Sequence, residues 1–539
     1  MDLLPSAHVD TFCRDHLPPA EQWPELIFDL TELAYPERLN CATALLDDVI
    51  ARFGGGRHGG DRPCLHSPGA DTWTYGDLLA TSNRIAHALV EDLGIVPGNR
   101  VLLRGPNNQW LTACWFGLLK AGAVAVTTMP LLRPGELATI HEIARLDLAL
   151  VDERFLEGTE GLSGDLGVRV VPFGGATGLS ALVADKPPAY DDVATSSDDV
   201  ALLAFTSGTT GRPKATMHFH RDVLAICDTF SRHVLRPSPD DVFTGTPPYG
   251  FTFGLGGVLL FPLHAGASTV LVEKATPPEL AGIIDEFGVT TCFTAPTAYK
   301  AMLAAGAAVP SLKAAVSAGE HLPAATWEAF RDATGVRIID GIGATEMLHI
   351  FISAAGDDIR PGSTGRAVPG YTPTVLDEHG GEAAPGEPGR LAVKGPTGCR
   401  YLADPRQETY VKNGWNITGD TFSRDEEGYF WYHARSDDMI ISAGYNIAAP
   451  EVEEALLKHP EVAECAVVGV PDEARGSVVK AYVVLADGVG ASGDKVRELQ
   501  DFVKTEIAPY KYPRALEFVG ALPRTATGKL QRFRLRQDS

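Results

Sequence analysis

The sequence predicts an α/β fold: a large N-terminal domain of parallel sheets covered by helices, followed by a small α+β domain. Two observations predict it. Short apolar runs such as Val101–Leu103 alternate with segments of helical period along most of the chain, with turn or charged residues close to each run. Near residue 436 this organisation changes. The 539 residues leave room for about three or four units of ordinary size.

The elements of the large domain follow one another in a regular order. Leu78, Ile85 and Leu89 recur at helical spacing after the turn at Gly76-Asp77, which predicts a helix. The strands predicted after it are Val101–Leu103, Val200–Phe205, Val270–Val272, Val289–Thr294, Ala314–Ser317 and Val336–Ile339. Alternation of this kind favours parallel strands with helices on their faces.

The last part of the chain has a different pattern. Two short strands, Leu391–Gly395 and Gly428–His433, predict a small β region of the large domain. The segments predicted beyond them are a helix over Glu451–His459 and strands over Cys465–Val470 and Val479–Leu485. We therefore predict an N-terminal domain over 1–436 and a mobile C-terminal domain over 437–539.

The charge excludes several kinds of partner. The chain carries 46 Lys and Arg against 69 Asp and Glu, a net charge of −23. Such a chain is not expected to bind nucleic acid or an anionic membrane surface. The apolar segment 242–272 contains three prolines and six glycines, so buried core is the better interpretation than a membrane span.

The cysteines and the N-terminus bear on location. The eight cysteines are scattered singly, without a C-x-x-C pair, which predicts reduced thiols rather than a disulfide framework or a zinc site. The first 30 residues contain no apolar core of a signal peptide. We expect a cytoplasmic protein.

The most informative motif follows the predicted strand Val200–Phe205. It reads Thr206-Ser-Gly-Thr-Thr-Gly-Arg-Pro-Lys214 and offers hydroxyl and backbone donors, with one cation, to phosphate oxygens. It is not a P-loop, because Pro213 stands where that motif needs glycine. The alternative is a flexible turn. The complete string resembles the phosphate loop of the adenylate-forming enzymes, which include acyl-CoA ligases, peptide-synthetase adenylation domains and firefly luciferase.

The resemblance extends over nearly the whole chain, since further family motifs follow in order. In Asp340-Gly-Ile-Gly-Ala-Thr-Glu346 it implies that Thr345 binds the α-phosphate and that Glu346, with Thr209, holds Mg²⁺. Carboxylate and phosphate oxygens suit this hard cation. The full set of ATP- or AMP-binding residues implied is Thr206, Ser207, Gly208, Thr209, Thr210, Gly211, Lys214, Gly319, Glu320, Asp340, Gly341, Ile342, Thr345, Asp420, Arg435 and Lys529.

Three of the implied roles concern the last third of the chain. Asp420, joined by Arg435, would accept hydrogen bonds from the ribose hydroxyls. Lys529, in Pro523-Arg-Thr-Ala-Thr-Gly-Lys529, would be the catalytic lysine of the first half-reaction, with Thr345 and Glu346 as the other catalytic residues. The alternative for Lys529 is a solvated basic tail, because arginines follow it closely. Asp437 would be the hinge of a domain rotation, after which Gly444 and Tyr445 would face coenzyme A.

The acyl pocket is predicted in Tyr249-Gly-Phe-Thr-Phe-Gly-Leu-Gly256. Phe251, as an aromatic gate at the bottom, stands where amino-acid-activating relatives have aspartate, so an α-amino acid substrate would leave a buried charge unpaired. The resemblance is strongest to 2-aminobenzoate–CoA ligases and next to benzoate–CoA ligases. The residues predicted at the acyl group are Phe251, Thr252, Phe253, Gly254, Ala318, Ile342, Gly343 and His349. Thr252 and His349 are the candidate acceptors for an aryl amine.

We therefore expect an ATP-dependent aryl-CoA ligase that uses ATP, Mg²⁺ and coenzyme A, acts on 2-aminobenzoate, and is a monomer or homodimer. The alternatives are a benzoate- or hydroxybenzoate-CoA ligase, an enzyme that loads a separate acyl carrier protein, and a non-catalytic adenylate-binding protein. A serine hydrolase is disfavoured, because no G-x-S-x-G motif occurs in the chain.

Overall fold

The computed structural model describes residues 3–54, 59–206, 213–435, 439–442, 445–472, 476–507, 509–524 and 530–537. The chain divides into two compact units. The first comprises Met1–Pro373 and Val393–Asn416, and the second Thr374–Ala392 and Ile417–Ser539. The boundary that the sequence predicts at residue 436 stays a prediction.

The strands of the first unit alternate with its helices, as predicted. They are β1 Pro63–His66, β2 Trp73–Thr74, β3 Arg100–Arg104, β4 Val124–Thr128, β5 Leu148–Asp152, β6 Arg169–Phe173, β7 Val200–Thr206, β8 Lys214–Phe219, β9 Val242–Gly245, β10 Ser268–Leu271, β11 Thr291–Thr294, β12 Ala314–Ser317, β13 Ile338–Gly343, β14 Ile350–Ser353 and β15 Arg366–Ala367.

The helical segments of this unit include α-helices and single 3₁₀ and π turns. The α-helices are Phe12–Asp15, Asp48–Arg52, Tyr75–Glu91, Gln109–Lys120, Pro134–Ala144, Glu160–Ser163, Leu179–Val183, His220–Ile226, Thr252–Gly254, Phe261–Ala265, Pro277–Glu286, Pro296–Ala304, Ala324–Thr334 and Gln407–Tyr410. The 3₁₀ turns are Ala20–Gln22, Thr31–Leu33, Glu153–Phe155, Thr345–Met347 and Gly356–Asp358, and the π segments are Thr43–Asp47, Cys227–Leu235 and Leu255–Leu260.

Two sheets organise the first unit. The order β6-β5-β3-β4-β7-β8 is parallel except for the last pair, and the order β15-β14-β13-β12-β11-β9-β10-β1-β2 is parallel from β13 to β1. The prediction of parallel sheets is confirmed. Both sheets have apolar strands because helices cover them; β3, β4 and β5 are buried at every position.

Helix Tyr75–Glu91 shows how local chemistry sets the ends of an element. Thr74 is its N-cap, and the side chains of Thr74 and Asp77 satisfy each other's backbone N–H groups in a capping box. The apolar spacing from Leu78 onward predicts this helix, but the helix begins three residues earlier, at Tyr75, directly after the cap. Its buried face includes Ile85 and Leu89, as the periodicity requires.

In the described residues, the second unit consists of strands, three α-helices and one 3₁₀ turn. Its strands are β16 Thr372–Leu376, β17 Gly389–Lys394, β19 Trp415–Arg424, β20 Phe430–Arg435, β21 Met439–Ser442, β22 Tyr445–Ala448, β23 Val462–Asp472, β24 Gly476–Leu485 and β25 Ala515–Phe518. Three of these strands, β16, β17 and β19, extend into the first unit. Strand β18, Val411–Lys412, lies entirely in the first unit. The helices are Ala449–Leu457, Gly493–Glu506 and Arg532–Gln537, with a 3₁₀ turn at Pro509–Lys511. Strands β23, β24 and β25 form one sheet, and β21 pairs with β22.

Two expectations about segments can be compared with the structure directly. The apolar stretch 242–272 is divided between β9, short helical turns and β10, and it lies in the core. In the described part of the chain no helix is both long and apolar enough to cross a membrane. All eight cysteines are described, and none forms a disulfide.

Candidate active site

The predicted phosphate loop joins two neighbouring antiparallel strands of the first unit. Thr206 ends β7 and pairs in register with Lys214, which begins β8. The hydroxyl oxygen of Thr206 is buried and has no hydrogen-bond partner among the described residues. The predicted donors Ser207, Gly208, Thr209, Thr210 and Gly211 lie outside the described residues, so their roles stay predictions.

The side chains of Lys214 and Glu346 lie in contact in the first unit, together with Tyr401, which none of the predicted motifs contains. The Lys214 Nζ atom lies 3.3 Å from Glu346 Oε1 and 2.5 Å from the Tyr401 hydroxyl. The Tyr401 hydroxyl in turn donates a hydrogen bond to Glu346 Oε1. Glu346 and Tyr401 are buried, and the Lys214 side chain is 17% exposed. The predicted phosphate-binding cation and the predicted metal ligand are therefore neighbours.

Backbone pairing holds this group in place. The segment around Tyr401 lies beside β8: Thr216 and Tyr401 form an isolated antiparallel bridge, and the Leu402 amide donates to the Ala215 carbonyl at 2.9 Å. The Tyr401 amide donates to the Gln407 side-chain oxygen at 2.9 Å. Sequence spacing does not reveal the link between Tyr401 and Glu346, because 55 residues separate them.

A second set of buried polar groups lies behind Thr345. The Nε2 atom of His218 is 2.8 Å from the Thr345 carbonyl oxygen, and burial lowers the pKa of His218 to about 4, so the neutral ring donates this hydrogen bond. Nearby, the guanidinium of Arg400 pairs with Asp222, and both side chains are fully buried. A structural role therefore accounts for His218. Its ring supports the backbone of the turn at Thr345, which we predict to bind phosphate.

The predicted adenine-binding segments are adjacent strands. β12 and β13 pair in parallel, with Ser317 opposite Asp340. Gly319 follows β12 in a left-handed conformation, φ 85°, which disfavours any other residue. A Cβ at Gly341 would lie 2.8 Å from the Ile350 side chain. Ala318, Glu320 and Ile342 lie on these same segments, so the structure groups all the residues predicted here.

Asp340 has a perturbed carboxyl group. Its Oδ1 atom is buried without a hydrogen-bond partner among the described residues. Burial raises the pKa of Asp340 to about 7, although the nearby His321 acts to lower it. The native state therefore binds more protons at this group than the unfolded chain between about pH 4 and pH 7. Stability contributed by the neutral acid is present at low pH and is lost as the pH rises through this window.

Asp340→Asn is expected to remove this pH dependence. The difference in unfolding free energy, wild type minus variant, should fall as the pH rises from about 4 to about 7 and stay level outside that range. Urea unfolding at a series of pH values measures it. Asp357→Asn, at a fully exposed side chain, is the control for the loss of one carboxylate. A level difference for Asp340→Asn would contradict the prediction.

His349 lies at the centre of an aromatic group in the first unit. Its ring centroid is 4.6 Å from that of Phe261, 5.4 Å from Phe230 and 5.8 Å from Phe253. The side chain is buried, and neither ring nitrogen makes a hydrogen bond of good geometry to a described residue. Burial lowers the pKa of His349 to about 3, opposed by a weaker interaction with the Phe253 backbone. A Cβ at Gly256 would lie 2.7 Å from Nε2, so glycine is needed beside this ring.

The other predicted acyl-site residues lie on two segments of this unit. Thr252, Phe253 and Gly254 form one helical turn, while Ile342 and Gly343 end β13. Phe251 is the N-cap of this turn, its amide donates to the Pro248 carbonyl, and the residue is 36% exposed. Its role as an aromatic gate at the bottom of the acyl pocket stays a prediction.

The predicted ribose-binding pair belongs to the second unit. Asp420 on β19 and Arg435 on β20 are direct register partners. Asp420 is buried, and its amide donates to the Thr418 hydroxyl at 3.3 Å. Asp437, Gly444 and Lys529 lie outside the described residues, and of Tyr445 only the backbone in β22 is described. Their roles stay predictions.

The residues present fit a magnesium ion in one place. Glu346 offers a buried carboxylate next to the Lys214 ammonium, and Mg²⁺ commonly takes one or two carboxylates and completes its shell with phosphate oxygens and water. The described residues contain another group with metal-ligand spacing, His459, Glu461 and Glu498. Lys495 already pairs with both of its carboxylates, so this group is an ion-pair cluster.

Comparisons with known proteins agree with this geometry. The family model described as AMP-binding enzyme matches residues 55–401, and the AMP-binding enzyme C-terminal domain matches 451–529. The benzoate–CoA ligase of Thauera aromatica is 36% identical over 513 residues, which are 93% of this chain and 96% of that protein.

Two solved structures are similar over almost the whole chain. The anthranilate CoA ligase AuaEII in complex with anthranoyl-AMP has a TM-score of 0.88 at 34% identity, covering 94% of this chain and 99% of that one. The benzoate CoA ligase from Burkholderia xenovorans LB400 has a TM-score of 0.84 at 32% identity, covering 92% and 100%.

Proposed function

The chain belongs to the AMP-binding family of adenylate-forming enzymes, and on that premise we propose that it joins 2-aminobenzoate to coenzyme A. It is an AMP-forming acid–thiol ligase of the aryl-CoA ligase group, which uses ATP, Mg²⁺ and coenzyme A. The preference for 2-aminobenzoate over benzoate and the hydroxybenzoates is the part that we propose.

The first half-reaction brings anions together. A carboxylate oxygen attacks the α-phosphorus of ATP, the bond to the bridging oxygen breaks, and pyrophosphate leaves the acyl-adenylate. We assign Lys214 and Thr345 to the phosphates, and Lys529 to the carboxylate and α-phosphate. Mg²⁺ held by Glu346 supplies positive charge to the nucleotide phosphates when it is bound. Oriented charges of this kind are the main means of stabilising such a transition state.

The second half-reaction exchanges one acyl bond for another. The thiolate sulfur of coenzyme A attacks the acyl carbon, the bond from that carbon to the AMP oxygen breaks, and AMP leaves. We assign Gly444 and Tyr445 to the approach of the thiol, after rotation of a C-terminal domain about Asp437. A residue without Cβ at 444 gives the backbone room beside the ligand.

The observation that supports an aryl amine is the state of His349. Burial keeps its imidazole neutral, so one ring nitrogen carries a proton and the other is a hydrogen-bond acceptor at all working pH values. The Phe253 backbone interacts with the ring, and no described residue donates a hydrogen bond to the acceptor nitrogen. An aniline-type amine is neutral near pH 7 and donates hydrogen bonds. The pairing satisfies a buried polar group that would otherwise stay unsatisfied. It involves no buried charge, in keeping with the aromatic surroundings.

A panel of acids tests the assignment. Benzoate, 2-aminobenzoate, 2-hydroxybenzoate, 3-hydroxybenzoate and a medium-chain fatty acid are compared by CoA-dependent release of AMP. We expect the highest kcat/KM for 2-aminobenzoate. Preference for the fatty acid would contradict the aromatic pocket, and preference for benzoate would contradict the role of the amine.

The acceptor can be tested in the same assay. Replacing coenzyme A by a phosphopantetheinylated acyl carrier protein distinguishes a CoA ligase from a loading enzyme, and acyl transfer to the carrier alone would support the alternative.

We propose a cytoplasmic enzyme, on the basis of eight cysteines without a disulfide. Either a monomer or a homodimer is compatible with this function.

His349→Leu is expected to reduce the preference for 2-aminobenzoate. Leucine is apolar and of similar size, so the aromatic contacts are largely kept while the acceptor nitrogen is lost. The ratio of kcat/KM for 2-aminobenzoate to that for benzoate should fall about tenfold, the effect of one net hydrogen bond. Benzoate is the internal control. Thr252→Ala is the comparison variant, and a fall for it alone would assign the amine to Thr252 instead.

A further inference from the structure

We propose that Tyr401 is a positioning residue of this active site: its hydroxyl holds the Glu346 carboxylate and the Lys214 ammonium in the arrangement that receives Mg²⁺ and the nucleotide phosphates. The proposal rests on the proposed function, because it assigns a purpose to a contact between groups of that site. It adds a residue that none of the motifs contains.

The hydroxyl of Tyr401 makes two different hydrogen bonds to two opposite charges. It accepts from Lys214 Nζ at 2.5 Å and donates to Glu346 Oε1. A phenol can do both at once, since its oxygen offers one donor and acceptor lone pairs. Without it, the ammonium and the carboxylate would remain 3.3 Å apart with no group to set their relative orientation.

The two donors reach the same carboxylate oxygen. Both the Tyr401 hydroxyl and Lys214 Nζ are directed at Glu346 Oε1, and no described residue donates to Oε2. The carboxylate is therefore held by one oxygen while the other is left to a further ligand. The remaining oxygen suits a hard divalent cation that completes its shell with phosphate oxygens and water.

The tyrosine itself is held firmly on all sides. It is 1% exposed, it is bridged to Thr216 on β8, and its ring meets that of Tyr410 edge-on at 5.8 Å. The Lys214 Nζ atom lies 4.5 Å from the centroid of the Tyr401 ring, beside the hydroxyl to which it donates.

The protonation state of the Tyr401 hydroxyl is consistent with its role as a hydrogen-bond donor. Burial, and then the negative charge of Glu346, raise the pKa of Tyr401 far above its ordinary value. The hydroxyl therefore stays protonated at all working pH values. Tyr401 does not transfer a proton in the reaction, which distinguishes positioning from acid–base catalysis.

Tyr401→Phe tests the role by removing the hydroxyl alone. Calorimetric titration with ATP, once in excess Mg²⁺ and once in EDTA, gives the gain in affinity that the metal provides. We expect this gain to fall by about ten- to hundredfold in the variant, the loss of hydrogen bonds to charged groups. The Mg²⁺ concentration for half-maximal pyrophosphate release should rise, with the KM for the aromatic acid unchanged.

Tyr75→Phe is the matched control. Tyr75 is equally buried in the same unit, and its hydroxyl donates to the Ala267 carbonyl at 2.6 Å, away from the predicted site residues. It should keep the full gain from Mg²⁺. If Tyr401→Phe also kept it, or weakened ATP and the aromatic acid equally together with a lower Tm, Tyr401 would be a structural residue and the inference would be wrong.

The two proposals fail in different ways. If the wild-type chain binds neither ATP with Mg²⁺ nor any aromatic acid, the proposed function fails, and the role of Tyr401 fails with it. If the wild-type chain binds and ligates an aromatic acid while Tyr401→Phe behaves like Tyr75→Phe, only the role of Tyr401 fails.

Discussion

Replacement of Lys529 by alanine is expected to slow acyl-adenylate formation about a thousandfold. The reaction brings a carboxylate against the α-phosphate, and a cation about 4 Å away at an effective dielectric near 20 contributes roughly 4 kcal/mol. That energy corresponds to a factor of about a thousand in rate. Single-turnover release of pyrophosphate from labelled ATP, with 2-aminobenzoate present, measures the step.

Two controls separate catalysis from a general effect of charge. Arg534→Ala removes an exposed cation five residues further on and should change the rate less than about twofold. Lys529→Ala should still form the thioester when synthetic 2-aminobenzoyl-AMP and coenzyme A are supplied, because that step begins after the two anions have been joined. Equal losses for Lys529→Ala and Arg534→Ala would support the solvated basic tail instead.

Much of the fold could be predicted because its signals are local. The sequence predicts strand β7 over 200–205, and the strand runs to Thr206, because a short apolar run bounded by charged and turn residues favours a buried strand. The apolar spacing predicts helix Tyr75–Glu91, which differs only at its capped start. Alternation with helices predicts that the central strands pair in parallel, but it predicts neither the order of the strands nor the antiparallel pairs such as β7–β8.

The site was predictable where a motif carries the chemistry within one short segment. Lys214 and Glu346 were both selected from their motifs, and the structure brings them together. Tyr401 was not selected, because its partner is distant in sequence and the segment around it contains no repeated or spaced pattern. Its position depends on pairing with β8, which no local signal reveals.

His349 and Phe251, both predicted at the acyl group, show the same limit. One is a buried imidazole among aromatic rings, whereas the other is an exposed aromatic side chain. The difference arises from the turn at Thr252–Gly254 and from the aromatic rings contributed by three other segments. Burial of an individual side chain is a property of the assembled unit.

Glu346→Gln is the second variant with a large expected effect. Glutamine keeps the size of the side chain and one oxygen that can accept from Tyr401, but it removes the negative charge that Mg²⁺ requires. We expect kcat for acyl-adenylate formation to fall by at least about a hundredfold. The Mg²⁺ concentration for half-maximal rate should rise beyond the range that saturates the wild-type enzyme.

The charge on Lys214 also predicts how Glu346→Gln binds ATP in the absence of metal. In wild type the ammonium is balanced by Glu346 at 3.3 Å, whereas Glu346→Gln removes this nearest negative charge and leaves the neutral Tyr401 hydroxyl and the more distant carboxylate of Asp404. ATP without metal, an anion, should therefore bind the variant as tightly as wild type or more tightly, because the lysine is free to meet the phosphates. Titration with ATP in EDTA measures this. Weaker binding of metal-free ATP would show that Glu346 organises the loop rather than the cation, and would remove Glu346 as the metal ligand.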